Sequence, residues 1–271
     1  MIHLFALLSL LLCGVCYTGF QNSSHFHNTS NRRSLLLLVF GGALLLRLLL
    51  AYTTHGFSND IACFAAWADR IFTLGPGQFY SAEMFTDYPP GFMYVLYLIG
   101  ALRSLLQIPY YSDLHILLLK LPAILCDIAC GFLLYREAVK RLHFSDLQGI
   151  FAASAYLFQP AVILNSSCWG QVDSVYTLMI ILMCLFLMKG NLLPAYAVYG
   201  LGVLLKPQML IFTPVLLAGI WDHVFLQDFS WRKFFYNLCG GLVVICGMLL
   251  LCAPFGLTAA ISPVSYTHLT L

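Results

Sequence analysis

Apolar residues in this chain come in long runs rather than in narrow stripes. Runs long enough to approach a membrane crossing occupy 2–19, 34–53, 90–108, 114–135, 147–165, 174–188, 191–205, 208–221 and 234–257. A spanning helix needs about 20 such residues, and in lipid only helices and closed barrels satisfy their own backbone. The lengths are helical, so about nine helices are expected. Residues 2–19 read as a helix or uncleaved anchor, because His3 is a poor basic start for a signal peptide and no small-residue cleavage site follows. No internal repeat of the kind many secondary transporters carry is visible. The fold class is therefore all-α, a polytopic transmembrane helical bundle.

One polar stretch interrupts the runs. From His55 to Tyr88 the chain carries Asp60, Asp69, Arg70, Glu83 and Asp87. Loops longer than about 15 residues are usually functional or disordered. Within this one, Ile61, Phe64, Ala65, Ala68, Ile71 and Phe72 recur at helical spacing. A helix lying on the membrane surface is expected, with Asp69 on it and with Trp67 and Phe72 at headgroup level.

Composition narrows the class. Of 271 residues 61% are apolar and 9% charged, with mean hydropathy +0.87. A soluble domain is about 25% charged, so a soluble enzyme, a nucleic-acid binder and a disordered scaffold are excluded. Most cysteines fall inside apolar runs and act there as small hydrophobes. No cofactor is expected. Divalent metal is left open, Asp60 and Asp69 being nine residues apart and no tight ligand pair.

The few charges set the topology. Arg32-Arg33, Arg136 with Lys140-Arg141, Lys189 and Arg232-Lys233 should face the cytoplasm. Segments 54–89, 169–173 and 206–208 then share the outer face. One count does not close: three apolar segments lie between Tyr88 and Trp169, and an odd number of crossings would separate them. Either 90–108 or 114–135 crosses incompletely, or the cluster at 136–141 breaks the rule.

Four polar motifs collect on that outer face. Asp60 lies in Ser58-Asn59-Asp60, an ordinary helix cap on composition alone. Asp87-Tyr88-Pro89-Pro90-Gly91 reads as a stiff turn into a helix. Trp169-Gly170-Gln171-Val172-Asp173 reads as an interfacial aromatic with a cap at Asp173 or Ser174, and Lys206-Pro207-Gln208 as a helix break with a snorkelling lysine. Gathered on one face, a carboxylate, a lysine and amides also suit chemistry on lipid phosphates.

The order of these motifs resembles the GT-C superfamily of polytopic glycosyltransferases, most closely the dolichyl-phosphate-glucose-dependent glucosyltransferases, with a likeness to bacterial mannosyltransferase-like proteins. The likeness rests on Asp60 and Trp67 seven apart, Asp87-Tyr88-Pro89-Pro90, Leu125-Cys126-Asp127-Ile128, Phe158-Gln159-Pro160 through Trp169-Gly170-Gln171-Val172-Asp173-Ser174, and Lys206-Pro207-Gln208. It covers about residues 34–257. It departs where the family's histidine is absent near Trp169-Gly170, and in length.

The resemblance implies an inverting hexosyltransferase of the outer or luminal face. A polyprenyl-phosphate sugar would be the donor and a glycan or lipid-linked hydroxyl the acceptor, in contact with membrane lipids and with no nucleic acid. It implies Asp60 as general base and Asp87, Tyr88, Trp169, Gln171, Asp173, Lys206 and Gln208 as substrate-binding residues. The location would be the plasma membrane if bacterial and the endoplasmic reticulum if eukaryotic. A transporter or lipid flippase is the alternative, with Arg47, Arg103, Lys120 and Asp127 facing a path, although Lys120 and Asp127 equally form a buried structural pair. A structural or assembly subunit is a third. The expected organisation is an anchor and basic loop at 1–33, a membrane module at 34–257 with its outer loop at 54–89, and a tail at 258–271. The last seven residues of that tail resemble adapter read-through.

Overall fold

The computed structural model describes residues 32–80, 85–227 and 229–256, and every regular element among them is helical. In order they are α1 (Arg32–Thr53), α2 (Ser58–Leu74), α3 (Pro90–Leu105), α4 (Asp113–Lys140), α5 (Asp146–Leu157), α6 (Pro160–Ile163), α7 (Asp173–Met188), α8 (Leu192–Leu205), α9 (Thr213–Trp221) and α10 (Trp231–Cys252). A π-helical turn, Leu164–Trp169, continues α6. The expected helix at 2–19 and the tail at 258–271 lie outside the described residues.

Four stretches are long and apolar enough to cross a membrane: α1, α4, Pro207–Leu226 and α10. A fifth is α5 with Pro160–Trp169, bent by 51°. The protein is an all-α polytopic bundle, but α3, α7 and α8 are shorter than a crossing. Local chemistry stops each of them. Gln107 takes a left-handed φ of 52° after α3, Gly190 one of 70° after α7, and Lys206 precedes Pro207, which holds it extended at the end of α8.

The chain divides into two compact units. Among described residues the first holds 32–63 and 109–175. Its helices α1, α4 and α5 pack around Ala43, Tyr135, Ile150, Ala153 and Leu157. A Cβ on Gly131 would stand 2.6 Å from the Leu157 side chain, so this glycine lets α4 and α5 approach closely. Helices α1 and α4 are antiparallel and joined at three levels. Arg32 meets Tyr135 at 2.9 Å and Asp146 at 3.1 Å; Arg47 meets Asp127 at 3.2 Å; Lys120 reaches the last turn of α1.

That ladder resolves the crossing count. Arg32 lies at the same end as Tyr135 and Asp146, so the basic clusters at 32–33 and 136–141 share one end and obey the positive-inside rule. Thr54 and Lys120 share the other end, with Nζ 2.7 Å from the Thr54 carbonyl. The chain therefore leaves and re-enters the first unit at one face. Helix α3, within 90–108, has 16 residues and by length is not among the candidate crossings. At 1.5 Å per residue it falls short of a hydrocarbon core of about 30 Å.

The second unit holds 64–108 and 176–256 among described residues. Met183, Leu192, Ala195, Tyr196, Met209, Leu216 and Val224 form one core. A second is aromatic. Phe64, Trp67, Tyr88 and Phe92 lie within 5.7 Å of one another, centroid to centroid, wherever they touch. Trp67 is only 2% exposed and its Nε1 donates to the Phe85 carbonyl at 3.0 Å. It points into protein, not to headgroup level. Helix α2 itself forms as the periodicity predicts, and Asp69 on it pairs with Arg103. Gly100 permits this: a Cβ there would sit 2.5 Å from the Ala68 carbonyl oxygen. Substituting Gly100 with leucine should therefore unseat α3 from α2. The expected readout is a lower unfolding temperature of the purified protein in detergent.

Candidate functional site

In the first unit the polar motifs meet around Asp60. Helix α2 begins at Ser58, which puts Asp60 in its first turn. Its Oδ2 accepts from Trp169 Nε1 at 3.0 Å and from Gln171 Nε2. Oδ1 has no hydrogen-bond partner among the described residues. The Trp169 ring is 49% exposed and lies 5.2 Å from that of Phe57, itself 45% exposed. The site is thus a carboxylate fixed by two N–H donors beside two half-bare aromatic faces.

The backbone beneath it is unusually tight. Phe57 N–H donates to the Trp169 carbonyl at 2.9 Å. Gly56 and Gly170 have φ of 80° and 89°, and a Cβ on either would stand within 2.7 Å of Ile61. Below them Lys120 is fully buried, its Nζ donating to Ala51 O, Thr54 O, Thr54 Oγ1 and Ser167 O between 2.7 and 3.2 Å. A cation fits there because the C-terminal carbonyls of α1 and of the π-turn carry partial negative charge. Lys120 ties the two loops that carry Phe57 and Trp169.

One level further in, Arg47 and Asp127 form a fully buried pair. Asp127 Oδ1 also accepts from Tyr156 at 3.2 Å and from Ser174. Lys120 and Asp127, read from spacing as one pair, therefore have different partners. Of the residues that the transporter alternative sets along a path, Arg47, Asp127 and Lys120 are tied within the first unit and Arg103 within the second. Asp173 opens α7 and accepts from Asn165 Nδ2 at 2.9 Å. Ser174 is the residue the sequence left as a cap and the fold uses as a buried donor. Because the Asn165 amide is engaged and half-buried, its Asn-Ser-Ser sequon should stay unglycosylated, and Asn165→Gln should leave electrophoretic mobility unchanged.

In the second unit Lys206 is 9% exposed and stands over two tyrosine rings, 5.7 Å from Tyr88 and 5.5 Å from Tyr176. Desolvated cation–π contacts of this kind are worth about 2 kcal/mol. Tyr88 is held from behind, since Tyr80 Oη donates to its carbonyl at 3.0 Å. Burial, with a smaller contribution from Cys252, pushes the Tyr80 pKa up, so it remains a neutral donor. Asp87 and Gln208 are exposed beside Tyr88 and Lys206 in the chain. The candidate residues are thus assembled as Asp60, Trp169 and Gln171 in one unit and Tyr88 with Lys206 in the other.

A comparison with curated proteins returns no match. One protein-family model, described as GPI transamidase subunit PIG-U, matches residues 32–270. It overturns the reading as a lipid-phosphate hexosyltransferase, because a transamidase subunit belongs to machinery that attaches peptides, not to one that transfers sugars. The general-base role for Asp60 belonged to that reaction and goes with it. A likeness in scaffold does not carry chemistry. Over 32–270, through both units and all the motifs just described, the chain belongs to the PIG-U family of GPI transamidase subunits.

Proposed function

We propose that the chain serves a GPI transamidase of the endoplasmic reticulum membrane by holding the glycosylphosphatidylinositol, leaving the amide exchange to other subunits. A transamidase swaps the amine partner of an amide, and this one must present a glycolipid to it. The family's eukaryotic home replaces the bacterial plasma membrane as the expected location.

The observation that carries this reading is the Asp60 site. A fixed carboxylate accepts from hydroxyl or ammonium groups, and ionised acceptors form the stronger hydrogen bonds. Exposed aromatic faces beside it offer a surface for a sugar ring or a cation. Such a site, at the face away from the basic clusters, suits the head of a membrane-embedded glycolipid.

The test uses cells whose own copy is replaced by variants. Asp60→Asn should lower display of a GPI-anchored reporter about tenfold, the loss of one charge-assisted bond, and Trp169→Ala should do similarly. Co-purification of the other subunits should be unchanged. Reporter display at the wild-type level in both variants would refute the assignment.

A further inference from the structure

Helices α8, α9 and α10 enclose a cleft of about 400 Å³ in the second unit. Tyr196, Tyr199, Leu216, Ile220, Leu242 and Ile245 are among its walls, which are carbon almost throughout. The polar atoms there partner each other: Tyr199 Oη with Thr213 Oγ1, and Tyr196 Oη with Asn237 Oδ1 at 3.4 Å. A cavity of this polarity holds hydrocarbon rather than water. Its volume falls in the usual range of about 300–1,000 Å³ for ligand sites and matches one acyl chain.

What surrounds one end of the cleft indicates the rest of the ligand. Phe225 and Phe234 line it and also belong to a chain of ring contacts with Trp221, Phe229 and Trp231. Tryptophan belts mark the headgroup level. Lys233 stands there exposed, in the first turn of α10. Lys233 is one turn before Asn237 on the same helix face, its Nζ also reaching the Gln227 carbonyl at 3.2 Å. A cation beside an apolar slot calls for an anionic head on a hydrocarbon tail. By the positive-inside rule this end faces the cytoplasm, where anionic lipids concentrate.

We propose that this cleft is the site of one resident anionic glycerophospholipid of the cytoplasmic leaflet, with an acyl chain between α8, α9 and α10 and its phosphate at Lys233. The proposal does not rest on the glycolipid reading above.

Gly241 provides the test. It lines the cleft, and a Cβ there would meet nothing within 4 Å. Gly241→Phe therefore fills the slot without a backbone clash, and Gly241→Ala leaves it open. The full-length protein, purified with its associated subunits, is exchanged into phosphatidylcholine nanodiscs containing a minor share of phosphatidylinositol. Lipid retained after detergent washing is then counted by native mass spectrometry.

Wild type and Gly241→Ala should retain phosphatidylinositol well above its share of the nanodisc. Gly241→Phe should lose about tenfold, as expected when a chain's apolar burial is denied. Lys233→Gln should lose about fivefold, with phosphatidylcholine unaffected, and Arg232→Gln, on the opposite face of α10, should lose little. Equal retention of the two lipids by wild type, or undiminished retention by Gly241→Phe, would overturn the proposal. So would a photo-crosslinker at Leu242 that captures a protein helix. Should Gly241→Phe not fold, Lys233→Gln against Arg232→Gln still decides the headgroup.

Discussion

Asp127→Ala should destabilise the first unit by about 3–5 kcal/mol, the cost of stranding one member of a buried ion pair. The lost hydrogen bonds are the smaller part. Inter-helix bonds within membranes average about 0.6 kcal/mol each, so losing those from Tyr156 and Ser174 accounts for little. The guanidinium of Arg47 dominates: its side chain has no exposure, and Nη2 already lacks a hydrogen-bond partner among the described residues. Arg47→Leu should be destabilising for the mirror reason. Combining Arg47→Leu with Asp127→Leu should recover most of the loss, because no charge then remains in the interior. Thermal unfolding of the purified protein in one detergent measures all three. A double variant no better than either single one would mean that shape rather than charge governs the site.

Lys120→Met should cost several kcal/mol, through a different mechanism. It leaves carbonyls of Ala51, Thr54 and Ser167 without their donor, and a buried unsatisfied polar group costs about 1–3 kcal/mol. The damage should also spread. The Thr54 and Ser167 loops carry Phe57 and Trp169, so GPI-anchored reporter display should fall although Asp60 is intact. Lys120→Arg should not restore it. A planar guanidinium is a poor substitute for a point charge that meets four oxygens at once, and Gly170 already brings backbone against the Lys120 stem. Full activity in Lys120→Met would detach the loops from function.

Much of this fold was legible in the residues. Leucine-rich runs announce helices, and the 61–74 periodicity announces α2. The meeting of Asp60 with the Trp169-Gly170-Gln171 motif also follows once those segments share a face. What stayed hidden was partnership at a distance. Arg47 and Asp127 are 80 residues apart, and no local pattern marks them as mates. Lys120 and Asp127 are seven apart on one helix, but two turns separate them by about 10 Å, too far for direct contact. Trp67 carries the residue type of an interface and sits in a core. Its neighbours Phe64, Tyr88 and Phe92 come from segments whose packing hydropathy does not encode. Chemistry was least legible: the motif order pointed to sugar transfer, and the match to GPI transamidase subunits overturned that reading.

The α1–α4 ladder also has a timetable. Ribosomes add about 5–20 residues per second, so Arg47 waits roughly 4–16 s in or near the bilayer before Asp127 is made. During that interval α1 must stay inserted with a bare cation, at an apparent cost of about 2.5–3.5 kcal/mol. Its ten leucines contribute about −0.3 to −0.6 kcal/mol apiece, enough to hold it there. The leucine richness of α1 therefore matters most at synthesis, before its partner helix exists. Thinning those leucines should produce molecules that fail at insertion, although the finished protein would have tolerated the change.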